Sequence, residues 1–245
     1  MVSIDRRSFL LGGAALTGSL AIPAALHAQE PPTASPIPPV ANSDQFNVLF
    51  IRHAQSVVNV APDPDIPDEG VSYPLTQLGI EQVAQLVTTL ANVDFSAIYT
   101  STRVRCIQTA TGLALSHNLT INLAPELVEA DFGELGISAA LVTGVMAAWA
   151  LGDKEAKIEG GESLQDQLDR FIPFVTDTIA QYQDQPKTLV FVAHAAILID
   201  CLPYVFTNVS PGFALANGLL NIGIASGAFV DGDLVCTSWQ GLAPQ

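Results

Sequence analysis

Two histidines in this chain follow apolar runs that have the length of a buried strand. His53 comes after the run 46–51, with Arg52 between them, and His194 directly follows the run 188–193. In α/β folds, ligands bind at the carboxyl ends of the strands. Because imidazole and guanidinium groups donate hydrogen bonds to oxyanions, these positions predict a binding site for an anionic group.

The pattern around these runs predicts the elements that position them. Predicted strands cover residues 46–51, 95–99, 119–123, 188–193, 219–224, 227–230 and 234–239. Predicted helices cover residues 78–90, 102–116, 164–182 and 195–206. This alternation predicts a three-layer α/β/α sandwich with a mostly parallel sheet. We expect Asp231-Gly232 to form a hairpin turn and Pro173 to kink or break its helix.

The charge of the chain excludes several classes of partner. The formal net charge is −15, with only nine Lys and Arg residues. Removing the first 28 residues takes away Asp5, Arg6 and Arg7, which makes the remainder more acidic still. Nucleic acids and anionic membranes bind basic surfaces, so we expect neither as a partner. Arginines on so acidic a chain are conspicuous, and Arg103 and Arg105 lie together in one short segment.

The N-terminal segment predicts export rather than a folded element. Residues 1–28 contain the pair Arg6-Arg7, an Ala- and Gly-rich apolar run and a small-residue cleavage site at Ala28, which is typical of a twin-arginine (Tat) signal peptide. Residues 29–44 form a Pro-rich linker and residues 45–245 the folded domain. We therefore expect the Tat translocon as a partner during export, a periplasmic or secreted location, and no stable membrane anchor after cleavage.

Four short motifs come before His194 in the sequence. Residues 52–59 read RHAQSVVN, residues 74–82 PLTQLGIEQ, residues 101–110 STRVRCIQTA and residues 127–134 LVEADFGE. They resemble the patterns R-H-G-x-S-x-x-N, L-T-x-x-G-x-x-Q, S-x-x-x-R-A-x-Q-T-A and L-x-E-x-D-F-G-E of the histidine phosphatase superfamily. The resemblance implies a phosphoglycerate mutase-like fold for the domain.

The resemblance also implies an activity and the residues that carry it. A member of this family would hydrolyse small phosphate monoesters without a metal or other cofactor. It would use His53 as the nucleophile that forms a phosphohistidine, and Glu129 as the general acid and base. The phosphate-binding residues that the resemblance implies are Arg52, Ser56, Asn59, Arg105 and His194. Neighbouring arginines lower the pKa of a histidine, so we expect His53 to be neutral, and His194 to be charged when phosphate is bound.

Two alanines depart from the family's pattern at positions where glycine is usual. Ala54 follows His53 and Ala195 follows His194, and a methyl group at either position could narrow the pocket. These replacements leave a second hypothesis open, a non-catalytic or weakly active periplasmic module that binds anions or a partner on the same fold. A third hypothesis, a periplasmic solute-binding protein, requires two lobes, for which the chain is short.

Other features of the sequence are also interpreted, some of them in two ways. The strongly apolar segment 137–151 either covers the site or packs on the core or on a second chain. Arg103 either supports the site or forms a surface ion pair. Glu162 is interpreted as a favourable charge at a helix start. Three cysteines predict buried thiols, although a disulfide between Cys201 and Cys236 remains open.

Overall fold

Strands and helices alternate in the structure, a computed structural model that describes residues 45–61, 72–133 and 138–244. The predicted signal peptide and linker lie outside the described residues. The elements are β1 Asn47–Arg52, α1 Val57–Val60, α2 Gln77–Leu90, β2 Phe95–Thr100, α3 Val104–Ser116, β3 Ile121–Leu123, α4 Ala139–Ala150, α5 Leu164–Tyr182, β4 Thr188–Ala193, α6 Ala195–Cys201, α7 Pro211–Asn217, β5 Ile224–Val230 and β6 Asp233–Trp239. Short 3₁₀ turns occupy Pro125–Leu127 and Leu202–Tyr204.

The six strands of the described residues form one sheet in the order β3-β2-β4-β1-β5-β6. The pairings among β3, β2, β4 and β1 are parallel, and those of β5 with β1 and β6 are antiparallel. Apolar side chains of α2 and α3 pack on one face of the sheet, and those of α4 to α7 pack on the other. This arrangement confirms the predicted three-layer α/β/α sandwich.

The parallel register of the central strands brings the two histidines together. Arg52 at the end of β1 pairs with Ala193 at the end of β4, so the next residue of each strand leaves the sheet at the same level. The backbone N–H of His53 donates to the carbonyl of Ala193 at 3.0 Å. Both strands are buried along their whole length, which explains why each reads as a continuous apolar run.

Side-chain caps fix the starts of the two long helices. The Thr76 hydroxyl accepts from the backbone N–H of Gly79 at 3.1 Å at the start of α2. Ser163 and Asp166 form a capping box at the start of α5, in which each side chain accepts from the other's backbone N–H. Helix α5 runs without a break through Pro173, so of the predicted kink or break the break is wrong, and the kink stays a prediction.

The predicted strand 219–224 is also wrong. The chain forms a turn before β5 begins at Ile224, and Ile222 has a φ of 55°, which a strand excludes. Carbonyl and amide groups of this turn bind the end of β1, as described below. The predicted hairpin is confirmed, because Asp231 and Gly232 join β5 to β6 with positive φ angles.

None of the helices in the described ranges has the length and apolar character that a membrane crossing requires.

Candidate active site

The ring of His53 is held in one orientation at the end of β1. The side chain is buried, and its Nδ1 lies 2.8 Å from the carbonyl oxygen of Ala54. A carbonyl oxygen only accepts, so Nδ1 carries the proton of the neutral ring and Nε2 carries the lone pair. Nε2 is therefore the ring atom that can attack an electrophile.

Arg52 is anchored beside His53 by the turn that precedes β5. Its Nη1 donates to the carbonyl of Leu219 at 2.7 Å, and Nε is buried without a hydrogen-bond partner among the described residues. Burial lowers the pKa of Arg52 to about 10, against the raising effect of the negative charge of Glu129. A guanidinium with that pKa is cationic at neutral pH, so it offers a donor and a positive charge to an anion.

Arg105 reaches the same place from the first turn of α3, immediately after β2. The side chain is buried, and the helix is bound to the loop after His53 through Thr109. The Thr109 hydroxyl donates to the Arg105 carbonyl at 2.7 Å and accepts from the Ala54 N–H at 3.1 Å. One side chain thus sets the position of α3 relative to the residue that follows His53.

His194 lies next to His53 with its ring at a steep angle. The ring centroids are 5.2 Å apart and the ring planes are 65° apart. Nε2 of His194 lies 2.8 Å from the Ser101 hydroxyl and 3.4 Å from Sγ of Cys106. These two contacts orient the ring, and sequence reasoning assigned a role to neither Ser101 nor Cys106.

Both histidines are neutral in this environment. Burial, followed by the charges of Arg105 and Arg52, holds the pKa of His53 well below its usual value. Burial and the charge of Arg105, with smaller contributions that include Arg103, lower the pKa of His194 in the same way. The expectation of a neutral His53 therefore follows from desolvation first and from the arginines second.

Ser56 and Asn59 follow His53 at the start of α1. The amide oxygen of Asn59 accepts from the Ser56 backbone N–H at 3.0 Å and from the Ser56 hydroxyl at 3.3 Å. Asn221 donates to the same oxygen at 3.2 Å and to the His53 carbonyl at 3.0 Å. The two predicted phosphate ligands thus bind each other, and Asn221 is a positioning residue that the predicted strand 219–224 concealed.

The loop after His53 also rests on the start of α2. The backbone N–H of Gln55 donates to the side chain of Gln82 at 2.7 Å, and its carbonyl accepts from the backbone N–H of Thr76 at 3.0 Å. A Cβ atom on Gly79 would lie 2.0 Å from the carbonyl oxygen of Gln55. The glycine in the second motif is therefore required by close backbone contact.

The two alanines fit the backbone on which they stand. Positive φ angles occur at other non-glycine residues, but at neither Ala54 nor Ala195. Ala54 is buried on the α2 and α3 side of the sheet, and Ala195 is the first residue of α6. A methyl group at either position therefore causes no backbone strain.

Glu129 binds the first turn of α6, the helix that begins directly after His194. Its Oε1 accepts from the backbone N–H groups of Ile197 at 2.9 Å and of Ala130 at 3.0 Å. Its Oε2 accepts from the Ala196 N–H at 3.3 Å. The carboxylate is thus held at the first turn of the helix that follows His194, and its charge acts on Arg52.

Arg170 and Glu162 hold the loop that carries Glu129, and we call this pair the loop clamp. Arg170 binds Glu162 through two nitrogens, each at 2.9 Å, and its Nη1 donates to the carbonyls of Glu126 at 2.7 Å and Val128 at 2.9 Å. Glu162 also accepts from the Asp131 N–H at 3.1 Å. Ser163 and Asp166 cap α5, and Glu162 directly precedes the N-cap, so its predicted role as a favourable charge at the helix start stays a prediction beside its observed bonds to Arg170 and Asp131.

The apolar segment before α5 packs on the core. Within α4, Val145, Met146 and Trp149 are buried, and the Trp149 indole N–H donates to the Ala156 carbonyl at 2.7 Å. The Phe132 ring, three residues after Glu129, stacks on Trp149 with centroids 5.9 Å apart. Packing is therefore the interpretation that the described part of this segment supports.

The structure also decides between the interpretations of the cysteines and of Arg103. All three cysteines are buried, and Cys201 and Cys236 form no disulfide in the described residues. Arg103 is the residue before α3, and its charge acts on His194, which favours support of the site over a surface pair. In the described ranges, no group of three or more His, Cys, Asp or Glu residues is placed to hold a metal ion.

The sequence matches a known family over most of its length. The profile described as "Histidine phosphatase superfamily (branch 1)" matches residues 48–240. A probable phosphatase of Schizosaccharomyces pombe is 25% identical over 158 residues, which are 64% of this chain and 55% of that protein. This chain therefore spans about half the length of the yeast protein.

Solved structures with the same fold are similar to this chain over most of its length. "Mycobacterial hydrolase 1" superposes with a TM-score of 0.67 at 22% identity, over 80% of this chain and 99% of that chain. A mycobacterial glucosyl-3-phosphoglycerate phosphatase superposes with a TM-score of 0.63 at 20% identity, over 80% and 99% of the two chains. At this level of identity the similarity establishes the fold alone.

Proposed function

Because this chain belongs to the histidine phosphatase superfamily (branch 1), we propose that it hydrolyses phosphate monoesters through a phosphohistidine on His53. The observation that carries the proposal is the hydrogen bond from His53 Nδ1 to the Ala54 carbonyl at 2.8 Å. It directs the lone pair of Nε2 away from the loop, in a pocket where burial and two guanidinium charges keep the ring neutral. A neutral, oriented imidazole is the form that attacks phosphorus.

In the first step, Nε2 of His53 forms a bond to phosphorus as the bond from phosphorus to the leaving oxygen breaks. Arg52 and Arg105 bind the oxygens of the transferred phosphoryl group, where the charge of the transition state is spread. Glu129 gives its proton to the leaving alkoxide, which departs as an alcohol. Phosphate brings negative charge next to His194, which offsets the arginine charges and favours a protonated His194.

In the second step, water replaces the histidine. Glu129, now a carboxylate, takes a proton from the water as its oxygen attacks phosphorus, and the bond from phosphorus to Nε2 breaks. Inorganic phosphate leaves and the starting protonation of Glu129 is restored. Ser56 and Asn59 shape the loop beside His53 and donate to phosphate from there. The arginines supply the positive charge, so we propose that the reaction needs no metal ion or other cofactor.

We also propose a location and a class of substrate. Residues 1–28 would direct the folded domain through the Tat translocon to the periplasm or the exterior, where residues 45–245 act without a membrane anchor. The acidic chain, with its net charge of −15, disfavours substrates of high negative charge and favours small monoesters with one phosphate.

The test is hydrolysis of p-nitrophenyl phosphate by the domain of residues 45–245 in excess chelator, beside the variant His53→Ala. We expect chelator-resistant turnover and a phosphoenzyme that is labile to acid. In His53→Ala we expect turnover to fall by at least about 1,000-fold, because the variant lacks the nucleophile. The variant His117→Ala serves as the control because His117 lies at the far end of α3. A folded protein without turnover or phosphoenzyme between pH 4.5 and about 8 would favour the anion-binding module instead.

A further inference from the structure

Ser101 carries a buried hydroxyl group to which the proposed reaction gives no role. The residue directly follows β2, and Thr100 at the end of that strand pairs with Val192 of β4. The backbone N–H of Ser101 donates to the Val192 carbonyl at 3.0 Å. Strand pairing thus fixes Ser101 at the edge of the sheet where His194 leaves β4, and the Ser101 hydroxyl lies 2.8 Å from Nε2 of His194.

The contacts of the Ser101 hydroxyl decide which way its proton points. Its oxygen accepts from the backbone N–H of Arg103 at 3.4 Å. In the part of the chain that the structure describes, Nε2 of His194 is the atom placed to accept from this hydroxyl. A buried donor without an acceptor is disfavoured, so the hydroxyl donates to Nε2. The neutral ring of His194 therefore carries its own proton on Nδ1.

The thiol of Cys106 also contacts the His194 ring, but it binds more weakly than the hydroxyl. Its Sγ lies 3.4 Å from Nε2 and 3.7 Å from Nδ1. The same thiol donates to the Ala193 carbonyl at 3.4 Å. Because a thiol is a weaker donor and acceptor than a hydroxyl, the sulfur packs against the ring while Ser101 selects the tautomer.

Charged and titratable groups on several elements surround His194. They are Arg105 on α3 and Arg103 before it, Arg52 and His53 at the end of β1, and Glu129 at the first turn of α6. Asp200, six residues further along α6, is 8% exposed, and burial raises the pKa of its carboxyl group well above the usual value. The arginine charges disfavour a second proton on His194, whereas a bound phosphate offsets them. A protonated ring needs an acceptor at Nε2, and the Ser101 oxygen has a second lone pair for this bond.

We propose that Ser101 is a positioning residue that places the protons of His194, donating to Nε2 of the neutral ring and accepting from Nε2–H once phosphate binds. This inference rests on the proposed role of His194 as a phosphate ligand. Nδ1 carries a proton in both states, so it is the ring nitrogen that donates to a phosphoryl oxygen.

The reversal of this hydrogen bond couples phosphate binding to proton uptake. The second proton of His194 comes from solvent as phosphate binds and returns to solvent as inorganic phosphate leaves. A hydrogen bond from an ionised donor is stronger than one between neutral groups, so the Ser101 hydroxyl stabilises the protonated ring more than the neutral ring. An alanine at this position would provide neither bond.

Nitrogen-15 NMR of the histidine ring nitrogens, without ligand, tests the inference apart from turnover. The natural chain should show a neutral His194 with its proton on Nδ1, and the loss of its signals in His194→Gln assigns them. We expect Ser101→Ala to lose this preference, and Ser101→Thr, which keeps a hydroxyl, to retain it. Ser226→Ala removes another buried hydroxyl, on β5, and is the matched control. A proton on Nε2 in the natural chain would overturn the inference, and so would a tautomer that changes in Cys106→Ala but not in Ser101→Ala.

The same spectra with inorganic phosphate measure the proton uptake of His194. In the natural chain, His194 should gain its second proton at a higher pH with phosphate than without, and at a lower pH in phosphate-bound Ser101→Ala than in the phosphate-bound natural chain. We expect kcat/KM with p-nitrophenyl phosphate to fall about tenfold in Ser101→Ala, because a hydrogen bond to a charged group is lost, and to be unchanged in Ser226→Ala.

The outcomes separate this inference from the proposed function. The expected tautomer and proton uptake in a protein without turnover would overturn the phosphatase function and leave the role of Ser101 standing. Proton uptake by His194 that phosphate does not change, or that is the same in Ser101→Ala, would overturn the inference whether or not the protein turns over.

Discussion

The two sides of the candidate site are built in different ways. The side of Arg52, His53 and His194 comes from the ends of neighbouring parallel strands, and the sheet register alone brings these residues together. The side of Glu129 comes from a loop whose position depends on Arg170, a side chain about 40 residues further along. The first side is fixed by backbone pairing and the second by individual side chains. Substitutions on the two sides should therefore have distinguishable effects.

Next to the strand side, where Arg105 reaches the site from α3, a large effect is expected for Arg105→Lys. A lysine keeps the charge but loses the forked pair of donors, so binding of the transferred phosphoryl group weakens. We expect kcat/KM to fall about 100-fold with p-nitrophenyl phosphate and with glycerol 2-phosphate alike, the order seen when a transition-state donor is removed. Arg103→Lys is the matched control, two residues away, with an expected loss of only a few fold. A larger loss for Arg103→Lys than for Arg105→Lys would show that the two arginines have been assigned the wrong way round, and equal losses would contradict a phosphate-binding role specific to Arg105.

On the loop side, Glu129→Gln should lower kcat much more for one substrate than for another. We expect kcat to fall about 100-fold with glycerol 2-phosphate and by only a few fold with p-nitrophenyl phosphate, because an alkoxide needs protonation and p-nitrophenolate does not. Glu126→Gln is the control, because Glu126 contacts Arg170 only through its backbone carbonyl. The role of Glu129 as the acid would be contradicted by similar losses on both substrates.

A smaller effect of the same pattern is expected for the loop clamp. Arg170→Lys keeps one contact but cannot bind Glu162 and two carbonyls at once, so Glu129 is held less firmly. We expect about a tenfold loss of kcat with glycerol 2-phosphate, and little further loss when Arg170→Lys is added to Glu129→Gln. Lys157→Gln, which removes an exposed ion pair with Asp166, is the control. If the losses of Arg170→Lys and Glu129→Gln were additive in the double variant, the loop clamp would contribute to overall stability and not to the position of Glu129.

The smallest effects should appear in the free energy of unfolding, and its dependence on pH should be opposite for the two histidines and for Asp200. The folded pKa of His53 and of His194 is below 6.5, so the unfolded chain binds extra protons, and stability is lost as pH falls below about 6.5. The folded pKa of Asp200 is above 3.8, so its contribution is lost as pH rises through the range between 3.8 and the folded pKa.

Urea unfolding of His194→Gln and Asp200→Asn at a series of pH values measures these contributions. Relative to the natural chain, we expect His194→Gln to gain free energy of unfolding as pH falls below about 6.5, and Asp200→Asn to gain it as pH rises above about 4. Differences that do not depend on pH would show that neither group keeps a shifted pKa in the folded protein.

Much of the strand side could be predicted from the sequence. A continuous apolar run followed by a histidine is a local signal, and residues 46–51 and 188–193 both give it. The family resemblance added Arg105 and Glu129, and the structure brings Arg52, His53, Arg105 and His194 together. Their roles remain predictions that the experiments above test.

The errors and omissions have different causes. Apolar residues at 219–223 are compatible with a strand, but Ile222 adopts a positive φ and the turn binds β1 instead. The clamp of Arg170 and Glu162 acts mostly on backbone carbonyls of a remote loop, and such bonds leave no periodic pattern. Asp200 gave a signal that was overlooked, since it is the one charged residue in the apolar stretch 195–206.

The bond between Arg52 and the Leu219 carbonyl has a consequence for how the protein is made. The two residues are 167 positions apart, so the guanidinium meets its partner only after nearly the whole domain has left the ribosome. Asn221, which donates to the His53 carbonyl, arrives at the same late stage. A nascent chain that has already formed β1 and α2 still lacks both contacts. The pocket is therefore among the last parts of the molecule to be completed during synthesis.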